Sequence, residues 1–180
     1  AKERGFKPDD YSTTLLLAIV KPLKKGWLFA GFAIGDGGMG VICEDGSVCR
    51  LSQPEGGEFA GETVFLTSKS VFELESDEGK ALMDDRMKAF FVPSFKAAIF
   101  MTDGISDPYF EAHSKVKYDS DPHWTFLLDD LIRGDGPTGE EVSRPGPLSV
   151  NTKREEQLGS LERWSEFYMA GAHDDRTIVI

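Results

Sequence analysis

The chain reads as an α+β protein built on antiparallel sheets. Three observations predict this. Short apolar runs bounded by Gly, Pro and Asp fill the first hundred residues, helical periodicity enters only after residue 120, and a last apolar run, Ile178-Val179-Ile180, returns to strand. Strands followed by helices favour an antiparallel arrangement over βαβ winding, where the two alternate. With 180 residues, 40% of them apolar and 13 of them Phe, the chain can bury the core of one globular domain, taken as residues 1–180.

Each element has its own signal. Residues 13–20 (TTLLLAIV) form an apolar run that reads as a buried strand closed by Lys21-Pro22, and residues 26–34 (GWLFAGFAI) read as a second strand. Residues 39–43 and 47–51 flank Asp45-Gly46, a turn dipeptide, and read as a hairpin. Residues 62–67 are a short apolar segment of either type, and residues 87–92 and 95–101 give two strands around Pro93-Ser94. Asp121 can cap a helix with Pro122 in its first turn, Trp124, Leu127, Leu128 and Leu131 on its apolar face, and Gly134 at its end. Thr152 and Glu155 have capping-box spacing before Leu158, Leu161, Trp164 and Tyr168. Residues 134–150, rich in Gly, Pro and charge, read as a surface loop.

Charge narrows the partners. With 31 acidic against 20 basic residues the net charge is −11, which repels nucleic-acid phosphates and anionic membranes. No apolar run approaches the roughly 18 residues of a membrane span. A two-residue turn at Asp45-Gly46 would put the sulfurs of Cys43 and Cys49, the two cysteines of the chain, on opposite faces of the sheet. That argues against a disulfide and fits a reducing, cytoplasmic setting.

The chemistry concentrates in two acidic segments. Thr102-Asp103-Gly104-Ile105-Ser106-Asp107 follows the apolar run ending at Met101, and His173-Asp174-Asp175-Arg176-Thr177 precedes the last apolar run. Carboxylates at strand ends are held by rigid backbone yet face solvent, as a hard divalent cation requires of its oxygen ligands. Asp-Gly is also a common turn dipeptide, and at Asp45 and Asp135 the turn reading is taken. His113, His123 and His173 have no ligand spacing; His123 is expected to face solvent and His173 to be structural, while Trp124 and Trp164 are expected in the core. Gly35-Asp36-Gly37-Gly38-Met39-Gly40 matches a dinucleotide-binding glycine pattern, which needs a helix to follow. A hairpin follows instead, so the pattern reads as a tight glycine turn.

In order, these segments resemble the metal-dependent protein phosphatase family, the type 2C serine/threonine phosphatases, and within it a bacterial branch. Tyr11-Ser12-Thr13-Thr14 is similar to the family's Gly-Ser-Thr strand start, and Phe32-Ala33-Ile34-Gly35-Asp36-Gly37 to its Asn-Val-Gly-Asp-Ser-Arg strand end. Thr102-Asp103-Gly104-Ile105-Ser106-Asp107 resembles its Ser-Asp-Gly-x-x-Asp motif, and Asp174-Asp175-Arg176-Thr177 its Asp-Asn-x-Thr motif. Asp107-Pro108-Tyr109-Phe110 carries the flavour of the bacterial branch.

The resemblance implies an αββα sandwich of two antiparallel sheets flanked by helices. It assigns Asp103 and Asp174 to a binuclear Mg²⁺ or Mn²⁺ centre, and Asp36 and Asp107 to a third, weaker metal position. The implied activity is hydrolysis of phosphoserine or phosphothreonine in a phosphorylated protein by metal-activated water, without a phosphoenzyme and in opposition to a protein kinase. At least one of Pro108-Tyr109-Phe110 and residues 134–150 would then border the metal end and shape substrate access, the alternative for residues 134–150 being a mobile connector.

Departures from the family pattern matter as much. The family places a Glu-Asp pair and an Asp-Gly-His-Gly-Gly-like motif before the Gly-Ser-Thr strand, together with its phosphate-binding Arg and general-acid His. Only ten residues precede Tyr11, so the family's N-terminal third is expected to be missing, to come from the same gene or another chain, or to leave the site degenerate. Gly37 and Gly38 stand where the family has Ser and Arg. No catalytic side chain is assigned. The alternative function is a catalytically inactive module of this family that binds a phosphoprotein or regulatory partner.

Overall fold

A computed structural model describes residues 5, 7–52, 64–68, 71, 77–110, 121–134, 145–168 and 174–180. Its strands are β1 (Leu15–Leu23), β2 (Gly26–Ile34), β3 (Gly38–Cys43), β4 (Val48–Arg50), β5 (Met87–Val92), β6 (Phe95–Met101) and β7 (Ile178–Val179). Its α-helices are α1 (Asp77–Arg86), α2 (Asp103–Phe110), α3 (Asp121–Arg133) and α4 (Gln157–Ser165). The strands form two antiparallel sheets, in the orders β1-β2-β5 and β4-β3-β6-β7, with flanking helices. The chain divides into two compact units, Ala1–Glu44 with Cys49–Phe100 and Ile180, and Asp45–Val48 with Met101–Val179.

In the first unit β1 and β2 pair along their whole length, from Leu15 opposite Ile34 to Leu23 opposite Gly26, and β2 pairs with β5 from Trp27–Val92 to Phe32–Met87. Phe29, Ala33 and Val92 from this sheet and Met39 and Val41 from β3 meet in one buried cluster with Leu51. The Phe95 ring stands edge-on to Trp27 and Phe29, at centroid distances of 5.5 and 5.1 Å. This layer of side chains from both sheets is the sandwich core, and its burial is the main term holding the sheets together.

β1 departs from the expected buried strand. It lies at the edge of its sheet, runs on through Lys21-Pro22 to Leu23, and leaves Leu17 54% and Ile19 59% exposed. Apolar residues on both faces hid this in the sequence, and an edge strand tolerates a proline that an inner strand would not. Helix α1 was also illegible: Asp77–Arg86 has little amphipathic pattern and contains Gly79. Its last residue, Arg86, is buried and donates from Nη1 to the Val71 carbonyl at 3.0 Å. A helix therefore interrupts the run of strands between β4 and β5. Residues 64–68 contain a turn, with the Leu66 amide donating to the Thr13 carbonyl at 2.8 Å.

The hairpin of β3 and β4 also differs from expectation. Its connection is the four residues 44–47, in which Asp45 Oδ1 accepts from the Ser47 amide (2.9 Å) and hydroxyl (2.7 Å). Cys43 and Cys49 do not sit on opposite faces: their sulfurs are 3.9 Å apart. One residue of register exchanges the faces of a strand, so the sulfur contact is at odds with the strict two-residue turn expected at Asp45-Gly46.

The second unit packs α2, α3 and α4 around aromatic residues. Trp124, Leu127, Leu128 and Leu131 of α3 are buried as the periodicity required, and Gly134, at φ +89°, ends the helix. His123, expected to face solvent, is buried, its ring stacked on Phe110 at 6.1 Å. Thr152 forms no capping box: its hydroxyl donates to the Gly146 carbonyl at 2.8 Å, and a short 3-10 turn, Arg154–Glu156, precedes α4. On α4, Trp164 is buried, but Leu158 is 70% exposed and Tyr168 lies beyond the helix end. Within the expected loop at 134–150, Gly146 and Leu148 donate amides to the Ile132 and Leu131 carbonyls, so residues 146–148 are fastened to the end of α3. Residues 135–144, His113 and His173 lie outside the described residues.

Candidate metal centre

The second unit brings the two acidic segments together. Asp103 is the first residue of α2, where the unpaired amides and partial positive charge of a helix start favour a carboxylate. It is half-buried, and its Oδ1 accepts from the Gly104 amide at 2.8 Å. Asp107 follows one turn later on the same helix face, also half-buried, with the Ser106 hydroxyl 3.4 Å from its Oδ1. Two carboxylates spaced i,i+4 repel each other by a few tenths of a kcal/mol, roughly, unless a cation lies between them.

Gly104 is the contact point. A Cβ at this position would lie 2.6 Å from the Asp175 carbonyl oxygen and 3.0 Å from that of Asp174. The Asp174-Asp175 backbone therefore rests on the start of α2 at a closeness that only glycine admits. Thr102 fixes this approach from the strand side. Its hydroxyl donates to the Asp175 carbonyl (3.1 Å) and accepts from the Thr177 amide (3.0 Å), and its own amide donates to the Thr177 carbonyl (3.0 Å).

Arg176 fixes the approach from the other side, and Pro108 explains how. A proline has no amide hydrogen, so Pro108 inside α2 leaves the carbonyl four residues earlier, that of Gly104, without its helical donor. Arg176 Nε donates to that carbonyl at 3.3 Å. Arg176 Nη1 donates to the carbonyls of Ser165 (2.8 Å) and Phe167 (2.5 Å), and the guanidinium lies over the Phe167 ring, 4.0 Å from its centroid. Pro108-Tyr109-Phe110 is accordingly not the access loop expected from the sequence. It is helix, with Tyr109 and Phe110 fully buried.

Asp130, 1% exposed, holds this scaffold from behind. It accepts from the Tyr109 hydroxyl and, at 2.9 Å, from Trp164 Nε1, so one carboxylate ties α2, α3 and α4. Burial, and then the adjacent Asp130 charge, push the Tyr109 phenol far above its ordinary value, because both disfavour the phenolate. Sequence reading assigned no role to Thr102, Arg176 or Asp130. The Gly104-to-Pro108 spacing was the available signal for Arg176.

Asp36 belongs to the first unit, in the turn between β2 and β3, and is half-buried. Gly35 there has φ +108°, and Ser52 braces the turn, its hydroxyl accepting from the Met39 amide (2.7 Å) and donating to the Gly37 carbonyl (3.2 Å). Strand β3 begins at Gly38, so the glycine pattern opens a hairpin and not a phosphate-binding helix.

The donors in the acidic segments are hard oxygens, and they suit Mg²⁺ or Mn²⁺ rather than a softer metal. Among the described residues no three His, Cys, Asp or Glu form a group that could hold a metal ion. Mg²⁺ is commonly held by one or two carboxylates with waters completing its shell, so an open site on these residues would suit it better than a closed protein cage.

A family profile described as protein phosphatase 2C matches residues 1–134, which include Asp36, Asp103 and Asp107 but not Asp174. The chain belongs to the protein phosphatase 2C family. Among solved structures, the phosphatase domain of the cell fate determinant SpoIIE from Bacillus subtilis is similar at 12% identity with a TM-score of 0.36, over 93% of this chain and 56% of that one. This chain thus spans a little over half the length of that domain. No curated protein matches the sequence. No helix among the described residues is long and apolar enough to cross a membrane.

Proposed function

We propose that the chain carries part of the site of a metal-dependent phosphatase acting on phosphoserine or phosphothreonine in proteins. Asp103 and Asp174 are its ligands for Mg²⁺ or Mn²⁺, Asp107 serves a weaker metal position, and Asp36 is a further candidate ligand within its own unit. The observation that supports this most is the seating of the Asp174-Asp175 backbone on Gly104, beside Asp103. When bound, the metal supplies charge stabilisation at phosphorus and acidifies a water. The chain's own work is positional. Thr102 and Arg176 hold the Asp174 segment on the start of α2, and Asp130 keeps α2 fixed against α3 and α4. Such pre-set oxygen donors avoid reorganisation at the moment of reaction.

Calorimetric titration of Mn²⁺ tests the assignment. Asp103→Asn and Asp174→Asn should each weaken binding at least about tenfold, or ~1.4 kcal/mol, because a neutral amide is a poorer ligand for a hard ion. Asp45→Asn, in the hairpin connection, should leave binding unchanged. Equal affinity in all four proteins would remove Asp103 and Asp174 from the metal site.

A further inference from the structure

We propose that Cys43 and Cys49 form a reversible, oxidant-responsive disulfide pair. They are the two cysteines of the chain, one ending β3 and one in the middle of β4. Their sulfurs are 3.9 Å apart across the hairpin, and both side chains are half-buried against the core cluster of Phe29, Met39, Val41 and Leu51. Apolar packing therefore holds two thiols side by side in the reduced protein, and partial exposure leaves them within reach of a small oxidant.

The geometry favours a labile bridge over a structural one. A disulfide bond is about 2.05 Å long, so the sulfurs must close by a little under 2 Å, within the swing of two Cβ–Sγ bonds. Neighbouring strands lie about 4.7–4.9 Å apart, whereas a disulfide prefers Cβ atoms about 3.5–4.5 Å apart. Bridging therefore draws the strands together and stores strain, which raises the reduction potential and makes the bond easier to reduce. The hairpin can yield, because β4 has three residues and its connection to β3 has four.

The oxidant class is a peroxide, and the step balances. One thiolate sulfur attacks a peroxide oxygen, the O–O bond breaks, and the departing hydroxide takes a proton and leaves as water, giving a sulfenic acid. The second thiol attacks that sulfur. The S–S bond forms, the S–O bond breaks, and hydroxide leaves as water with the second thiol's proton. Two thiols and one hydrogen peroxide become one disulfide and two waters, the sulfurs being oxidised and the peroxide oxygens reduced.

The bridge would act on a strand pair that continues into the Asp36 turn. The Met39 carbonyl accepts from the Leu51 and Ser52 amides, and Ser52 braces Gly37. Oxidation is thus expected to slow amide exchange at Met39, Leu51 and Ser52.

Stoichiometric hydrogen peroxide on the folded chain, followed by alkylation and non-reducing peptide mapping, tests the proposal. The expected product is one intramolecular Cys43–Cys49 linked peptide pair, lighter by two hydrogens, formed about tenfold faster than in urea and reversed by reduced glutathione. Cys43→Ser and Cys49→Ser should form no internal bridge and should retain a sulfenic acid that dimedone traps. Sulfinic acid without a linked peptide, linkage between chains alone, equal rates with and without urea, or a bridge that survives reduced glutathione would each overturn it.

Discussion

Gly104→Ala probes the contact that unites the two acidic segments. The new methyl would lie 2.6 Å from the Asp175 carbonyl oxygen, 3.0 Å from that of Asp174 and 3.1 Å from the Asp175 carbonyl carbon. All three are backbone atoms, so no side chain can swing away. The Asp175 carbonyl also accepts from Thr102, and Thr177 pairs with the same residue, so retreat would break hydrogen bonds. Two effects oppose each other. Alanine is the better helix former by up to about 1 kcal/mol. Overpacking costs roughly 1–3 kcal/mol, and a lost hydrogen bond about 1 kcal/mol more. The clash wins, and a net loss of about 1–3 kcal/mol is expected, or roughly 2–12 °C in Tm for a chain of this size. Thermal unfolding followed by circular dichroism measures it, and Mn²⁺ titration of the same variant should show weakened binding as the Asp174 segment lifts. An unchanged or raised Tm would mean that helix propensity governs the site and that the segment does not rest on Gly104.

Two further outcomes follow from the same scaffold. Because the folded state holds the Tyr109 proton that an unfolded chain releases near pH 10, its contribution to stability is complete below that pH and is lost as pH rises above it. Urea midpoints between roughly pH 8 and 11 should therefore fall more steeply for the natural protein than for Tyr109→Phe, and parallel slopes would refute the linkage. Arg176→Lys should not restore what Arg176→Ala loses, since an ammonium cannot reproduce a planar fork serving the Gly104, Ser165 and Phe167 carbonyls. Both variants should speed amide exchange at Thr102 and Thr177, and unchanged exchange there would dismiss Arg176 as a clamp.

Where burial and turn chemistry agreed, elements were legible in advance. Strands β2, β5 and β6 fall where the apolar runs placed them, and α3 buries the face its periodicity marked. The hairpin turn at Asp45, the strand after the glycine pattern and the two core tryptophans were equally open to sequence reading. Helix α1 was not, because a polar helix with weak periodicity resembles a loop. Nor was the burial of Tyr109 and Phe110, since a proline four residues past the Gly104 carbonyl argues locally for a break.

By itself the sequence determined the α+β class, the family pattern and the candidate carboxylates, because period, turn dipeptides and motif order are local properties of a chain. Only the tertiary structure decided that Asp174-Asp175 rests on Gly104, that Arg176 answers the carbonyl Pro108 leaves open, and that the sulfurs of Cys43 and Cys49 meet. Gly104 and Arg176 are 72 residues apart. Contacts between such distant positions depend on how strands and helices pack, and a single residue of register or one substituted hydrogen-bond donor redirects them.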